Sequence, residues 1–298
     1  MNRSFKGIVV VILIAITIFL PSPTSAKRDQ NRVKQEVKKF EEFINTLDKN
    51  YIDSLDYSHL IEVAIRSILD QTDPYSKYLN GEEGDQLREI INSPAIDTAY
   101  MVNSSTACIK VRLFSQGATE EIYQNFIKLK SPQNLILDLR GNRGGLVTEA
   151  IECSNLFLKR GVTILNRERR AKPTITYRGQ YDGKLLSTNL IIVIDRESVS
   201  ASEIIAAALQ ENSRATIVGE RSAGKALITK PFTLRDGSMV LISTSQYTTP
   251  SGKKIQRSYR GKKSSNEDGG IIPDIKYNSN KLIDYEDFII LIRSWGNK

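Results

Sequence analysis

Apolar residues step by three and four through Val33, Val37, Phe40, Ile44 and Leu47, and again through Leu60, Ile61, Ala64, Ile65 and Ile68. That spacing places each set on one helical face, so the chain from Arg32 to about Asn92 is expected to form a small helical region. Within it "TDPYSKYL", residues 72–79, reads as a turn, because its proline sits among polar neighbours. The texture changes after about Ser93. "TACIKVRLF", "NLILDLR", "NLIIVID" and "ATIVG" are apolar runs of strand length, whereas "GLVTEAIECSNLFLKRG", with its stop at Gly161, and "SEIIAAALQEN" keep helical periodicity. "ALITKPFTLRDGSMVLIST" alternates and turns at "RDGS", the signature of a hairpin. Strands alternating with helices predict a layered α/β core with some parallel pairing, and no repeat or low-complexity linker interrupts it.

The first residues follow a different logic. Arg3 and Lys6 precede an apolar run from Ile8 to Leu20, and "PSPTSA" ends with small residues at Thr24 and Ala26. This is the pattern of an export signal cleaved after Ala26, and the run is shorter than the ~20 residues of a spanning helix. The expected organisation is a signal peptide over 1–26, a helical region over 27–93 and a core over 94–298. The expected compartment is periplasmic or extracellular, in the cell envelope.

Composition narrows the chemistry. The net charge of +8 is mild for 298 residues and is spread along the chain, apart from "SGKKIQRSYRGKKSS" at 251–265. A solvated basic loop accounts for that stretch better than a nucleic-acid surface does. Cys108 and Cys153 lie in apolar segments without CxxC or Cys/His spacing, and are expected to be buried thiols, although export would permit a bridge. The one histidine, His59, falls on a helix surface. A Ser-His-Asp or Cys-His hydrolase needs an imidazole in its site, as does a His-based zinc centre, so these classes are disfavoured and no metal or cofactor is expected.

"GERSAGKA", residues 219–226, approaches a phosphate-binding loop. Ala226, however, offers no oxygen to magnesium, and the following sequence is β-branched with Pro231 where a helix should run. No nucleotide is expected, and Lys225 needs another use. Upstream, "RESVSASEI" places Ser198, Ser200 and Ser202 at a strand-to-helix junction, where unpaired N–H groups can hold an oxyanion. "SASE" at 200–203 equally fits a capping box, in which the serine merely closes the helix start.

The combination of segments resembles the carboxyl-terminal processing (tail-specific) peptidases, exported serine proteases that use a serine and a lysine. "TDPYSKYL" is similar to that family's L-D-P-H-S-x-Y-L turn, with Tyr75 where histidine is usual. "LILDLRGNRGG" resembles L-D-L-R-x-N-x-G-G, "SASEI" the nucleophile segment, and "GK" at 224–225 the base segment. "TTPSGKKIQ" and "GIIPDI" match the T-P-S-G and G-I-x-P-D elements. The resemblance implies Ser200 as nucleophile, Lys225 as general base, and an oxyanion hole from Gly144 or Gly145 with Ala201. It implies a mixed-sheet α/β (α+β) core with packed helices, ClpP/crotonase-like, after a small N-terminal helical region. The implied partner is a protein or peptide substrate, with neither nucleic acid nor nucleotide, and self-association through the N-terminal helices is left open. Three positions depart from the family. Thr229 stands where a lysine-orienting glutamine is common, Ala226 replaces a usual glycine, and Glu211 occupies a position of an acidic or polar helper. The residues between "LREIIN" and "TACIKVRLF" are also too few for the family's PDZ domain. A peptide-binding relative with weak or lost turnover is therefore the alternative to an active enzyme.

Overall fold

The computed structural model of the chain describes residues 23–259 and 269–276. The expected leader over 1–26 lies outside them except for its last four residues. The chain divides into two compact units, Met1–Leu60 and Ile61–Lys298. In the first, helix α1 (Pro23–Asn50) carries the stripe expected from the sequence, and the start of α2 (Tyr57–Asp70) follows a short turn. Val33, Val37 and Phe40 of that stripe are exposed, at 62%, 61% and 44%. Among the described residues no helix is long and apolar enough to cross a membrane.

The second unit runs through β1 (Lys77–Leu79), α3 (Gly81–Asn92), β2 (Ile96–Met101), β3 (Thr106–Val111), α4 (Ala118–Lys128), β4 (Asn134–Asp138) and α5 (Val147–Phe157). It continues with β5 (Thr163–Arg169), β6 (Lys172–Arg178), β7 (Asn189–Ile194), α6 (Ala201–Glu211), β8 (Thr216–Gly219), β9 (Leu227–Thr233), β10 (Met239–Thr248) and β11 (Ile275–Lys276). Two sheets result. The larger has the order β11-β8-β7-β4-β3-β2, parallel throughout except for β2, which pairs antiparallel with β3 at the edge. In the smaller, antiparallel sheet, β1, β10, β5 and β6 follow one another and β9 pairs with β10.

Burial explains why the parallel strands read as unbroken apolar runs. Leu135 and Leu137 of β4 and Leu190, Ile192 and Ile194 of β7 face the main core with α4, α5 and α6, while Ile136, Ile191, Val193 and Cys108 form a second cluster on the opposite face. Strands buried on both sides lose the polar alternation of a half-exposed sheet. Cys153 belongs to the main core and Cys108 to the other cluster, and both are buried with neither in a disulfide. This is the mixed α/β architecture that the sequence implied, with the N-terminal helices ahead of it.

Two connections differ from the sequence reading. The segment after α3, read from the sequence only as too short for a PDZ domain, holds the edge strand β2. The "TDPYSKYL" turn ends in β1, which extends the smaller sheet by pairing with Leu241–Met239 of β10. That turn is fixed by Asp73, whose carboxylate accepts the N–H groups of Tyr75 (2.8 Å) and Ser76 (2.9 Å) and the hydroxyls of Ser76 (2.7 Å) and Ser243 (3.0 Å). Burial pushes the Asp73 carboxyl up, but these donors outweigh it and hold the group below its ordinary value.

Candidate active site

Ser200 closes the loop between β7 and α6. Its backbone is at φ +57° and ψ −106°, a conformation that a residue with a Cβ adopts only under constraint. The constraint is visible on both sides. Ser198 donates its hydroxyl to Leu139 O (2.8 Å), Val199 N–H reaches Asn142 O (3.0 Å), and the Ser202 hydroxyl reaches the same oxygen (3.1 Å). The loop before α6 is thus tied to the loop after β4, which contains the two glycines.

Strain of this kind makes a stability prediction. Ser200→Gly should be more stable than Ser200→Ala by about 1 kcal/mol, because glycine tolerates positive φ while alanine keeps the penalty. Denaturant titration of the two variants measures the difference, and an alanine variant as stable as the glycine one would show that the backbone there is unstrained.

The glycine loop is built around Asn142, which is fully buried. Its amide donates to Val111 O (2.8 Å) and its Oδ1 accepts the Gly144 N–H (2.8 Å). Gly144, at φ +98°, lies so close to the serine loop that a Cβ would fall 2.8 Å from Val199 O, 3.0 Å from Ser200 Cβ and 3.2 Å from Ala201 N. Gly145, at φ +135°, packs on Phe114, whose carbonyl oxygen would be 2.3 Å from an added Cβ. The Gly144 N–H is thus committed to Asn142, while Ala201 stands at the first position of α6, where helix N–H groups lack internal partners.

Lys225 precedes β9, so the stretch that resembled a phosphate loop runs into a strand. Two buried side chains join Lys225 to Ser200. The Glu203 carboxylate accepts Ser200 N–H (2.8 Å) and Lys225 N–H (2.9 Å) on one oxygen, and Gly224 N–H (2.6 Å) and the Ser222 hydroxyl (2.6 Å) on the other. The Tyr247 hydroxyl lies 3.2 Å from Ser200 O and 3.1 Å from Lys225 O. Burial pushes the Glu203 carboxyl up from its ordinary value, opposed by all four donors. Since all four partners donate, the ionised, acceptor-only carboxylate is the form that fits.

The Lys225 side chain is half-buried, with Nζ 4.8 Å from the centroid of the Tyr75 ring. Burial lowers its pKa from the ordinary lysine value, and the charges of Glu203 and Asp73 only partly oppose the shift. Thr229 lies within β9 opposite Ser243, and the lysine's surroundings are instead Tyr75, Glu203, Asp73 and Lys77. Glu211 is at the far end of α6 from Ser200. There it accepts the Thr249 hydroxyl (2.9 Å) and the Ser251 N–H (2.8 Å), holding the T-P-S-G turn, and is not beside Lys225. Ala226 is buried, and its N–H reaches Gln256 Oε1 (2.8 Å). His59 is exposed on α2, with its N–H on Asp56. Among the described residues no group of three or more acidic, cysteine or histidine side chains could hold a metal.

Sequence reasoning brought Ser200, Lys225 and the two glycines forward. It saw Glu203 only as a helix cap, and it assigned no role to Asn142, Tyr247 or Gln256. The cap pattern was the one available signal for Glu203, and its other contacts come from residues about twenty positions on.

The model of peptidase family S41 matches residues 105–277, more than half of the chain, in a stretch containing both glycines, Ser200 and Lys225. The chain belongs to peptidase family S41. A second match, to the activating protease CtpB N-terminal domain, covers residues 20–83. Among curated S41 relatives, carboxyl-terminal-processing peptidase 1, chloroplastic, from Arabidopsis thaliana is 35% identical over 178 residues, covering 58% of this chain and 33% of that one. The carboxy-terminal processing protease CtpA of Bacillus subtilis is 31% identical over 166 residues, covering 54% and 35%. The chain thus spans about a third of the length of these curated relatives. Among solved structures, the photosystem II D1 C-terminal processing protease aligns at a TM-score of 0.50 and 26% identity, over 62% of this chain and 46% of that one. A lipoprotein from Streptococcus agalactiae shares the fold at a TM-score of 0.62 and 15% identity, over 85% and 88%.

Proposed function

We propose that this S41 member is an exported serine endopeptidase that cleaves protein or peptide chains through an acyl-enzyme formed on Ser200, with Lys225 as the general base. The observation that carries the reading is the double tie of Ser200 to Lys225 by Glu203 and Tyr247, in a pocket that lowers the lysine pKa. A neutral amine is required to take the serine proton, and burial shifts Lys225 towards that form. Ser200 Oγ bonds to the scissile carbonyl carbon as its proton passes to Lys225 Nζ, and the carbonyl electron pair moves onto oxygen. The Gly145 and Ala201 N–H groups face that oxyanion. Collapse breaks the C–N bond and the leaving amine takes the proton from Lys225. Water then gives a proton to the neutral Lys225 amine as its oxygen bonds to the acyl carbon, and the Ser200 Oγ–C bond breaks as Lys225 returns the proton to Oγ.

The test is covalent as well as kinetic. A fluorophosphonate should label Ser200 in the wild type, found by peptide mass mapping, and cleavage of an unstructured protein such as casein should vanish in Ser200→Ala. Equal cleavage by that variant would mean a misassigned nucleophile. Peptide binding without turnover in the wild type would favour a scaffolding relative. His59→Ala and chelators should leave cleavage unchanged.

Export rests on the leader pattern at the start of the chain. Amino-terminal sequencing of the protein from the cell envelope or medium should find Lys27 first, and a chain still starting at Met1 would mean that the segment is kept.

A further inference from the structure

The lysine needs something to aim it, and the position of the expected glutamine holds Thr229 within β9. We infer that Tyr75, anchored by Gln256, is the positioning residue for the Lys225 amine, an inference that rests on the Ser-Lys reading above. Three contacts carry it. The Tyr75 ring lies 4.8 Å from Lys225 Nζ. The Tyr75 hydroxyl is 3.4 Å from Gln256 Nε2. The other end of the same amide accepts the N–H groups of Ala226 (2.8 Å) and Leu227 (3.1 Å), the two residues after the lysine.

Gln256 is buried, and its remaining N–H donates to Arg257 O (3.1 Å), so its amide orientation is fixed by donors on one side and acceptors on the other. One side chain therefore sets the lysine's main chain and the aromatic ring against which the lysine lies. Tyr75 is held independently from behind, because Asp73 takes its N–H and Ser76 pins the same turn to Ser243 on β10. Both ends of the lysine are thereby referred to one framework, in which the Thr229 side chain takes no part among these contacts.

The ring acts on the amine in two opposed senses. Its face attracts an ammonium, and its bulk keeps water away from it. The charged and titratable groups around the pair are Glu203 from α6, Asp73 and Lys77 from the β1 turn, Tyr247 from β10, and Arg257 on the Tyr75 side. Burial is the largest influence on Lys225, so opening the space beside it moves the amine towards ordinary lysine behaviour.

The experiment reads Lys225 directly, by NMR titration of protein labelled with 13C at the lysine Cε, in a Ser200→Ala background that needs no turnover. Tyr75→Ala is expected to raise the Lys225 pKa by about one unit or more, leaving about tenfold less neutral amine at pH 7. Tyr75→Phe, which keeps the ring against the amine and loses only the long hydroxyl contact to Gln256, should move the titration far less, by about 0.3 unit. With Ser200 restored, Tyr75→Ala should lose about tenfold in kcat/KM at neutral pH and recover part of it as pH rises. Thermal melts establish that each variant is folded, and Tyr75→Phe keeps the test usable should the alanine variant not be. A Lys225 titration unmoved by Tyr75→Ala, or moved as far by Tyr75→Phe, would overturn the inference. Absence of Ser200-dependent cleavage in the wild type would instead count against the proposed function, and the titration would still decide the role of Tyr75.

Discussion

Ser200→Ala and Lys225→Met are each expected to cut kcat/KM by roughly ten-thousand-fold or more, and the double variant by little beyond either, because in the proposed mechanism nucleophile and base act as one unit. In the wild type the pH dependence follows from the direction of the Lys225 shift. The base form is the neutral amine, so kcat/KM should be low where Lys225 is an ammonium and should rise with pH through its titration. Burial places that midpoint below the ordinary value of 10.5. The same shift has an opposite effect on folding. A lysine whose folded pKa is depressed makes the native state less stable below that pKa, and the penalty eases as pH rises from the folded towards the unfolded value. Lys225→Met removes that penalty, so at pH 7 this variant is expected to melt above the wild type. A differential scanning calorimetry pair and a pH–rate profile together test the assignment. A lysine serving only as a surface charge would give no gain in melting temperature and no effect on turnover.

The parts of this architecture legible in the sequence are those whose signals are local. β4 and β7 are buried on both faces and read as unbroken apolar runs, and the β9–β10 hairpin announces itself through "RDGS". The β5–β6 hairpin does not, because its turn uses Ala171 at φ +51° in place of a glycine or asparagine, while Arg169, Arg170 and Lys172 crowd the bend and Pro173 lies within β6. Helix α4 starts at Gly117 with no side-chain cap, so the usual start signal is missing. Around the site the same contrast holds. The serine and lysine sit in short recognisable segments. Tyr247 and Gln256 reach them from strands and loops that pairing alone brings close, and no periodicity could have linked them.

Glu203 is where the fold and the chemistry share one group, and replacing it should have the largest structural effect. Glu203→Gln keeps the volume, but its single carbonyl oxygen can serve only two of the four donors, and its NH2 then faces the other two. An orphaned buried donor costs roughly 1–3 kcal/mol, so a loss of about 2–5 kcal/mol is expected from denaturant titration, and more for Glu203→Ala, which strands all four and opens a cavity. Glu203→Asp, ionised but shorter, should recover part of the loss. Turnover should fall further than stability explains, since the carboxylate oxygen shared by the Ser200 and Lys225 N–H groups ties together the two loops that carry the proposed nucleophile and base, and small misplacements of reacting groups are costly in rate. Folded Glu203→Gln protein, isolated under stabilising conditions, should therefore label poorly with a fluorophosphonate at Ser200. If that variant were within about 0.5 kcal/mol of the wild type and labelled at the same rate, the carboxylate would be neither the tie between the two loops nor the source of their alignment.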